Sequence, residues 1–532
     1  MNVKTLSVSK IAFFLFYILF FIATLSIVWP CKASTATDVR DSMVKIYSVQ
    51  NEPDYDNPWN MKGPEAFSGS GCIIEGKRIL TNAHVVSDHT FIMVRLHGRS
   101  QKHPAKVVAV SHEADLALLS VDEPAFFKGV KPLRLGELPE IEQEVIVCGF
   151  PEGGDSLSTT KGVISRIEMQ RYAHSWTYLL AGQLDAAINS GNSGGPVLVG
   201  DRIVGVVMQI RKKSQNIGYM VPAPVIDHFL IDTEDGRYDG FPEDGIRIQP
   251  LENESLKRMF GLNKDQSGVL VSAVTTGSPA EGKIFAGDVL LAIDGHRIAD
   301  DGTVEFRTGE RTGCDFYVKQ RQIGENLVYE ILRQNRLETV RLMLDKNTRS
   351  GRLVPMRKYD VQPTYYVYGG LVFCPLTLNY LLSWGDDWSD DAPYNLLTYF
   401  VDGELSQEGE EVVIITKVLA SNLNNGYDDL IDSRIVAVNG KSIRNLQDLI
   451  RNVETDIENP FVVFMTEGNQ TIALDRIKSE AAHGDILSTY RIADDRSSDL
   501  KEVVSTIKAN GQKMAGSDTP ETNALMKSSQ RH

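Results

Sequence analysis

The sequence predicts a mainly β chain whose first half folds as a pair of antiparallel barrels, and three observations predict it. Short apolar runs follow one another quickly: Gly71-Cys-Ile-Ile, Arg78-Ile-Leu, Phe91-Ile-Met-Val-Arg-Leu and Ala105-Lys-Val-Val-Ala-Val, each bounded by Gly, Asn, Asp or Ser. Strands of this length at regular spacing close into antiparallel barrels. A second set begins at Glu144-Val-Ile-Val-Cys-Gly-Phe-Pro and continues through Thr160-Lys-Gly-Val-Ile-Ser-Arg-Ile to Arg202-Ile-Val-Gly-Val-Val-Met. Between these last two lies Ser193, set among glycines in Asp185-Ala-Ala-Ile-Asn-Ser-Gly-Asn-Ser-Gly-Gly-Pro and followed by an apolar strand, which is a place for a reactive hydroxyl.

From the N-terminus, Lys4 and Lys10 precede an apolar run from Ile11 to Trp29, and Cys31-Lys32-Ala33 offers small residues at the first and third positions. Residues 1–33 therefore read as a secretory signal, with an uncleaved anchor as the alternative. The expected location is periplasmic or exported, or membrane-anchored if the segment is retained. At 532 residues the chain is too long for one core, and about 150 residues per domain suggests three or four. A formal net charge of −15 argues against a nucleic-acid partner. Cys72, Cys148, Cys314 and Cys374 form no CxxC or Cys/His cluster, so no metal site is expected and free buried thiols are the expectation. Residues 34–64 turn polar, with Tyr55 and Trp59 as two isolated aromatics.

A serine hydroxyl needs a neighbouring base, and the oxyanion it creates needs unobstructed backbone N–H donors. His84, in Leu80-Thr-Asn-Ala-His-Val-Val, follows one predicted strand; Asp115, in Ala114-Asp-Leu-Ala-Leu-Leu, follows another. Asp88 and His89 are rivals, but Ser87-Asp-His reads as a polar turn, whereas the apolar run after Asp115 would bury its carboxylate beside an imidazole. The order His84, Asp115, Ser193 is that of chymotrypsin-like double barrels. The amides of Gly191, Asn192 and Ser193 are the candidate oxyanion hole.

Taken together, Gly-Asn-Ser-Gly-Gly-Pro, Thr-Asn-Ala-His-Val-Val and Ala-Asp-Leu-Ala-Leu-Leu resemble the HtrA/Deg family of ATP-independent serine proteases. The resemblance implies a chymotrypsin-like protease domain over 34–235, in which Ile188 lies in the specificity pocket and Gly205, Val206 and Val207 pair with substrate. The sequence departs from the family string at Ser190, where proline is common. Trimers are common in the family, which makes Tyr55 and Trp59 interface candidates and a trimer or multiple of trimers the expected assembly. Polar loops at 167–182 and 208–218 would flank the site.

Asp232-Thr-Glu-Asp-Gly-Arg-Tyr-Asp-Gly reads as an acidic linker. Beyond it, Ser267-Gly-Val-Leu-Val-Ser-Ala-Val and Ala286-Gly-Asp-Val-Leu-Leu-Ala-Ile-Asp-Gly resemble a PDZ domain, placed at 236–345, with Gly268, Val269, Leu270 and Val271 as the edge that takes a peptide. Gly369-Gly-Leu-Val-Phe, Val412-Val-Ile-Ile-Thr and Asp432-Ser-Arg-Ile-Val-Ala-Val-Asn-Gly resemble a second, atypical PDZ domain at 346–485, split by an insertion with Trp384 and Trp388. This arrangement looks most like plant-type Deg proteases and their bacterial relatives. Residues 486–532 read as a polar, disordered tail. The fold class is thus a double β-barrel protease domain followed by two PDZ-like α+β domains. The implied function is an endopeptidase acting on unfolded or damaged polypeptides, with peptide ligands at the first PDZ domain and no cofactor; the alternative is a PDZ-based holdase or scaffold with latent proteolysis.

Overall fold

The computed structural model describes residues 39–152, 154–210, 218–347 and 351–501. The apolar segment 1–33, residues 211–217 of the expected polar loop 208–218 and the chain beyond 501 lie outside the described residues. Two seven-stranded sheets form the first half. In the first, Met43–Gln50 is central, antiparallel to Glu65–Ile74 on one side and His89–Leu96 on the other. Its residues Val44 and Ile46 enter one core with Ile79, Val94 and Leu119. In the second, Ser158–Arg171 pairs with Glu144–Gly149 and Tyr178–Leu184, and pairing of Pro196–Val199 with Arg202–Ile210 closes the barrel. Cys72, Leu80, Leu116 and Leu118 of the first barrel share one apolar cluster with Val145, Cys148 and Leu184 of the second. Each such buried aliphatic side chain contributes about 1.5–3 kcal/mol, so the cleft between the barrels rests on a common core. The four described cysteines are free and buried.

The acidic stretch after the second barrel is packed rather than loose. Tyr238 accepts a hydrogen bond from Ser111 Oγ at 2.5 Å and donates to Glu113 at 2.7 Å, and Phe241 is buried and stacked on His228. Two aromatic side chains supply the apolar area that a free linker lacks. Next comes a sheet in the order Ile246–Pro250, Val269–Val274, Val289–Ile293, Asn326–Arg333, Arg336–Met343. This corrects one expectation. The segment Gly268, Val269, Leu270 and Val271 is buried, and Val269–Val274 is paired on both sides, so it offers no edge to a peptide. The outermost strand is Ile246–Pro250, along whose outer edge no strand pairs among the described residues.

The last region contains a three-stranded sheet (Tyr366–Tyr368, Leu371–Pro375, Val413–Val418) and a four-stranded one (Lys441–Ser442, Ile435–Val438, Phe461–Thr466, Thr471–Asp475). Helix Leu446–Thr455 is capped by Asn445, whose side chain accepts from the Asp448 N–H, and it buries Leu446, Leu449, Ile450 and Val453 at helical spacing against both sheets. The insertion forms short helices whose Trp388 meets Trp176 of the second barrel, ring centroids 5.5 Å apart. Trp59 packs against Tyr365 of this same chain. Order also runs past the polar boundary near 485: helix Arg476–Thr489 continues into a segment whose Ile492 and Leu500 are buried, and Arg496 bridges to Tyr366. Two buried apolar residues and one backbone bridge dock this polar stretch, where average composition pointed to disorder.

Candidate active site

His84 sits in the turn after Arg78–Thr81, and Asp115 in the turn between Lys106–Ser111 and Leu116–Ser120. Asp115 takes a left-handed φ of 54°, a conformation that Asp tolerates better than most residues, and its side chain is thereby turned toward His84. One carboxylate oxygen accepts the His84 backbone N–H at 3.0 Å, and the other lies 2.8 Å from His84 Nδ1. Asn82 Nδ2 donates to the Asp115 carbonyl at 2.7 Å. Burial opposes the Asp115 charge, but the nearby imidazoles and the two hydrogen bonds from His84 prevail and hold its carboxyl below the usual range. Burial likewise opposes protonation of His84, yet Asp115 prevails and raises its pKa. The contact fixes the ring with Nδ1 toward the carboxylate, so that when the imidazole is neutral Nδ1 carries the proton and Nε2 is the acceptor; among the described residues Nε2 has no hydrogen-bond partner.

Ser193 belongs to the second barrel, and its loop is pinned by a first-barrel residue that sequence reasoning missed. Ser70 N–H donates to the Ser193 carbonyl at 2.8 Å, and Ser70 Oγ donates to the Gly191 carbonyl at 2.7 Å while accepting from the Phe150 N–H at 2.8 Å. The signal available was Gly69-Ser-Gly, a small polar residue between two glycines where the strand turns buried. Gly194, at φ 82°, has no room for a Cβ, which would run into the Ser70 carbonyl oxygen and Thr81 Oγ1. Of the three candidate oxyanion donors, the Gly191 and Ser193 N–H groups donate to no protein acceptor among the described residues. The Asn192 N–H donates to the Asn189 carbonyl at 3.0 Å, so that amide is not free for an oxyanion. Ser193 Oγ makes no hydrogen bond among the described residues.

Ile188 lies against the second barrel's core and over Gly218. Gly205, Val206 and Val207 are placed differently from the expectation. Each is paired on both sides: Gly205 with Val197 and Pro222, Val206 with Pro196 and Val221, and Val207 with Met220 and, through both its N–H and its carbonyl, with the Gly194–Gly195 backbone. A strand so flanked cannot accept a third partner. From Met208 to Ile210 the same strand pairs only with Gly218–Pro222, so that is where its edge becomes available. Four more residues sit by the site unsuspected as a group: His112, His174, Tyr359 and Asp360. His174 stacks on Tyr359 (centroids 4.0 Å) and lies 6.1 Å from the His84 ring. No group of three or more His, Cys, Asp or Glu side chains is disposed to hold a metal among the described residues.

Comparison with known proteins places the chain in a family. The trypsin-like peptidase domain family matches residues 69–206, and the PDZ domain family matches residues 354–499. Protease Do-like 4, mitochondrial, of Arabidopsis thaliana is 39% identical over 438 residues, covering 81% of this chain and 81% of the relative. Protease Do-like 2, chloroplastic, of the same plant is 37% identical over 477 residues, covering 89% of this chain and 77% of the relative. Among solved structures, HtrA-type protease AlgW with tripeptide aligns with a TM-score of 0.46 and 26% identity over 59% of this chain and 96% of its own. The chain belongs to the HtrA/Do-like family of serine proteases and is a serine endopeptidase.

Proposed function

We propose that Ser193, His84 and Asp115 are the catalytic triad of an ATP-independent endopeptidase that cleaves unfolded or damaged polypeptides outside the cytosol. The observation that carries the reading is the buried Asp115 carboxylate holding both the backbone and the ring of His84 in one orientation. Ser193 Oγ attacks the peptide carbonyl while His84 Nε2 takes its proton, and Asp115 stabilises the resulting imidazolium. The tetrahedral oxyanion is received by the Gly191 and Ser193 N–H groups; collapse breaks the C–N bond as His84 returns the proton to the leaving amine. Water then attacks the acyl-enzyme by the same route. Substrate extends along Met208–Ile210, and the apolar Ile188 favours cleavage after Val, Ala or Ile. The free edge of Ile246–Pro250 is the place for an extended peptide on the first PDZ region, where it would raise the local concentration of substrate without touching the chemistry. Placement outside the cytosol rests on the sequence of residues 1–33, and the plant relatives are named for mitochondria and chloroplasts.

The test is fluorophosphonate labelling and casein digestion by the full chain and by Ser193→Ala. The substitution is expected to abolish labelling and to lower turnover about a million-fold, as loss of a triad nucleophile does, with the fold intact. Casein digestion by Ser193→Ala near the wild-type rate would remove Ser193 from the role. Mass spectrometry of the fragments should show small aliphatic residues before the cut, and mainly Lys or Arg there would overturn the pocket assignment.

A further inference from the structure

A segment at the start of the second PDZ region reaches the His84–Asp115 pair. Asp360 Oδ1 accepts the Asp88 backbone N–H at 2.6 Å, and Asp88 Oδ1 accepts the Asp360 N–H at 2.8 Å, a reciprocal exchange between two aspartates that both take left-handed φ values, 50° and 58°. Asp360 Oδ2 lies 2.8 Å from His112 Nε2, and His112 Nδ1 lies 3.0 Å from His174 Nε2. Asp88 belongs to the turn that carries His84, four residues on. His112 belongs to the turn that carries Asp115, three residues before it, and its carbonyl accepts the Asp115 N–H at 3.4 Å. Tyr359 completes the clasp by stacking on both His112 and His174 and donating its hydroxyl to the His174 carbonyl at 2.7 Å.

We propose that Asp360 is a positioning residue for catalysis, its single carboxylate tying together the two turns that present His84 and Asp115. The inference rests on the triad reading above. The two turns come from different strand connections of the first barrel, and their relative position sets the His84–Asp115 distance. A misplacement of about 1 Å at a reacting group can cost about a hundredfold in rate, so a cross-brace between the turns has kinetic weight. The hydrogen-bond directions are mutually consistent. A carboxylate at Oδ2 requires His112 to donate from Nε2; its Nδ1 is then an acceptor, and His174 donates to it from Nε2. Burial holds His174 down to about 3, so it stays neutral and able to act in this way. Burial opposes the Asp360 charge too, but the donors from His112 and Asp88 prevail and keep it ionised. The other titratable groups facing the clasp are His89 and Glu52 on the first barrel and Arg357 on the segment itself, whose guanidinium lies over the Tyr359 ring and 3.1 Å from Glu52.

The full-length chain with Asp360→Gly tests this, because glycine adopts the left-handed φ freely and only the carboxylate is lost. The readout is the rate of fluorophosphonate labelling against pH. The expected result is a plateau about tenfold lower and an acid limb moved to lower pH by about half a unit, since a loosened Asp115 raises the His84 pKa less. Asp360→Asn is expected to recover most of both, because its carbonyl still accepts from Asp88 and its amide suits the other tautomer of His112. A folded Asp360→Gly protein with wild-type plateau and limb would overturn the proposal. So would a lower plateau with an unmoved limb, which would mean that Asp360 serves only to dock the segment. Should Asp360→Gly fail to fold, His112→Phe keeps the ring stack and removes the donor to Asp360, and the same two readings decide. Persistent labelling of Ser193→Ala would instead strike the triad reading; with that control silent, wild-type behaviour of the Asp360 variants strikes the positioning role alone.

Discussion

The two halves of the candidate active site are held by different means. On the first barrel, His84 and Asp115 are fixed by side chains: a buried carboxylate with two contacts to one histidine, and an asparagine on the carbonyl behind it. On the second barrel, no side chain holds Ser193 itself: Gly194 lets its loop lie against the Ser70 backbone, and the Ser70 hydroxyl ties the loop only at the Gly191 carbonyl. The difference follows from the task. In the proposed triad a base must keep one tautomer and one orientation, which takes directed hydrogen bonds, whereas a nucleophile must leave its Oγ and two N–H groups open to substrate.

The strongest test of that contrast is Asp115→Asn. If the first half works by directed hydrogen bonding, an amide in place of the carboxylate favours the wrong tautomer of His84, and turnover should fall about ten-thousandfold with little loss of stability. Steady-state peptidase rates on a protein of unchanged thermal midpoint would check it; a loss under tenfold would mean the carboxylate is not the orienting group. The second half should respond the other way. Gly194→Ala meets both a left-handed φ and the Ser70 carbonyl, and it should destabilise the fold by more than about 2 kcal/mol in urea unfolding. Wild-type stability there would show that the loop relaxes freely. The smallest effect is on pH dependence. Because Asp115 raises the pKa of His84 and the base works only when neutral, labelling should be lost as pH falls through a value above about 6.5, the ordinary imidazole figure. A limb below that figure would mean that burial outweighs the carboxylate.

The PDZ regions repeat the lesson at a larger scale. Gly268-Val-Leu-Val reads as an edge that takes a peptide and Gly370-Leu-Val-Phe as its counterpart in the second PDZ domain, and both strands are interior: Val269–Val274 is covered by Ile246–Pro250, and Leu371–Pro375 lies between two other strands. A strand's apolar pattern reports how its faces are buried, but its edges are backbone, and which neighbour occupies them leaves no mark on the strand itself. The same reason misplaced the substrate edge at Gly205, Val206 and Val207, three residues whose backbone is already shared with the strands on either side.

The sequence by itself determined the barrels, the identity of the triad candidates and their order, because nucleophile, base and orienting carboxylate each demand one residue type in a recognisable local setting. Tertiary structure alone decided which edges stay open, that the Asn192 amide is spent within its own loop, and that Ser70 reaches across from the other barrel. It also decided that Asp360 lies beside His112, 248 positions away along the chain, and on Asp88, 272 positions away. Hydrogen bonds across such separations depend on how whole domains dock, and a lone aspartate in a polar segment carries no trace of the two turns it will join.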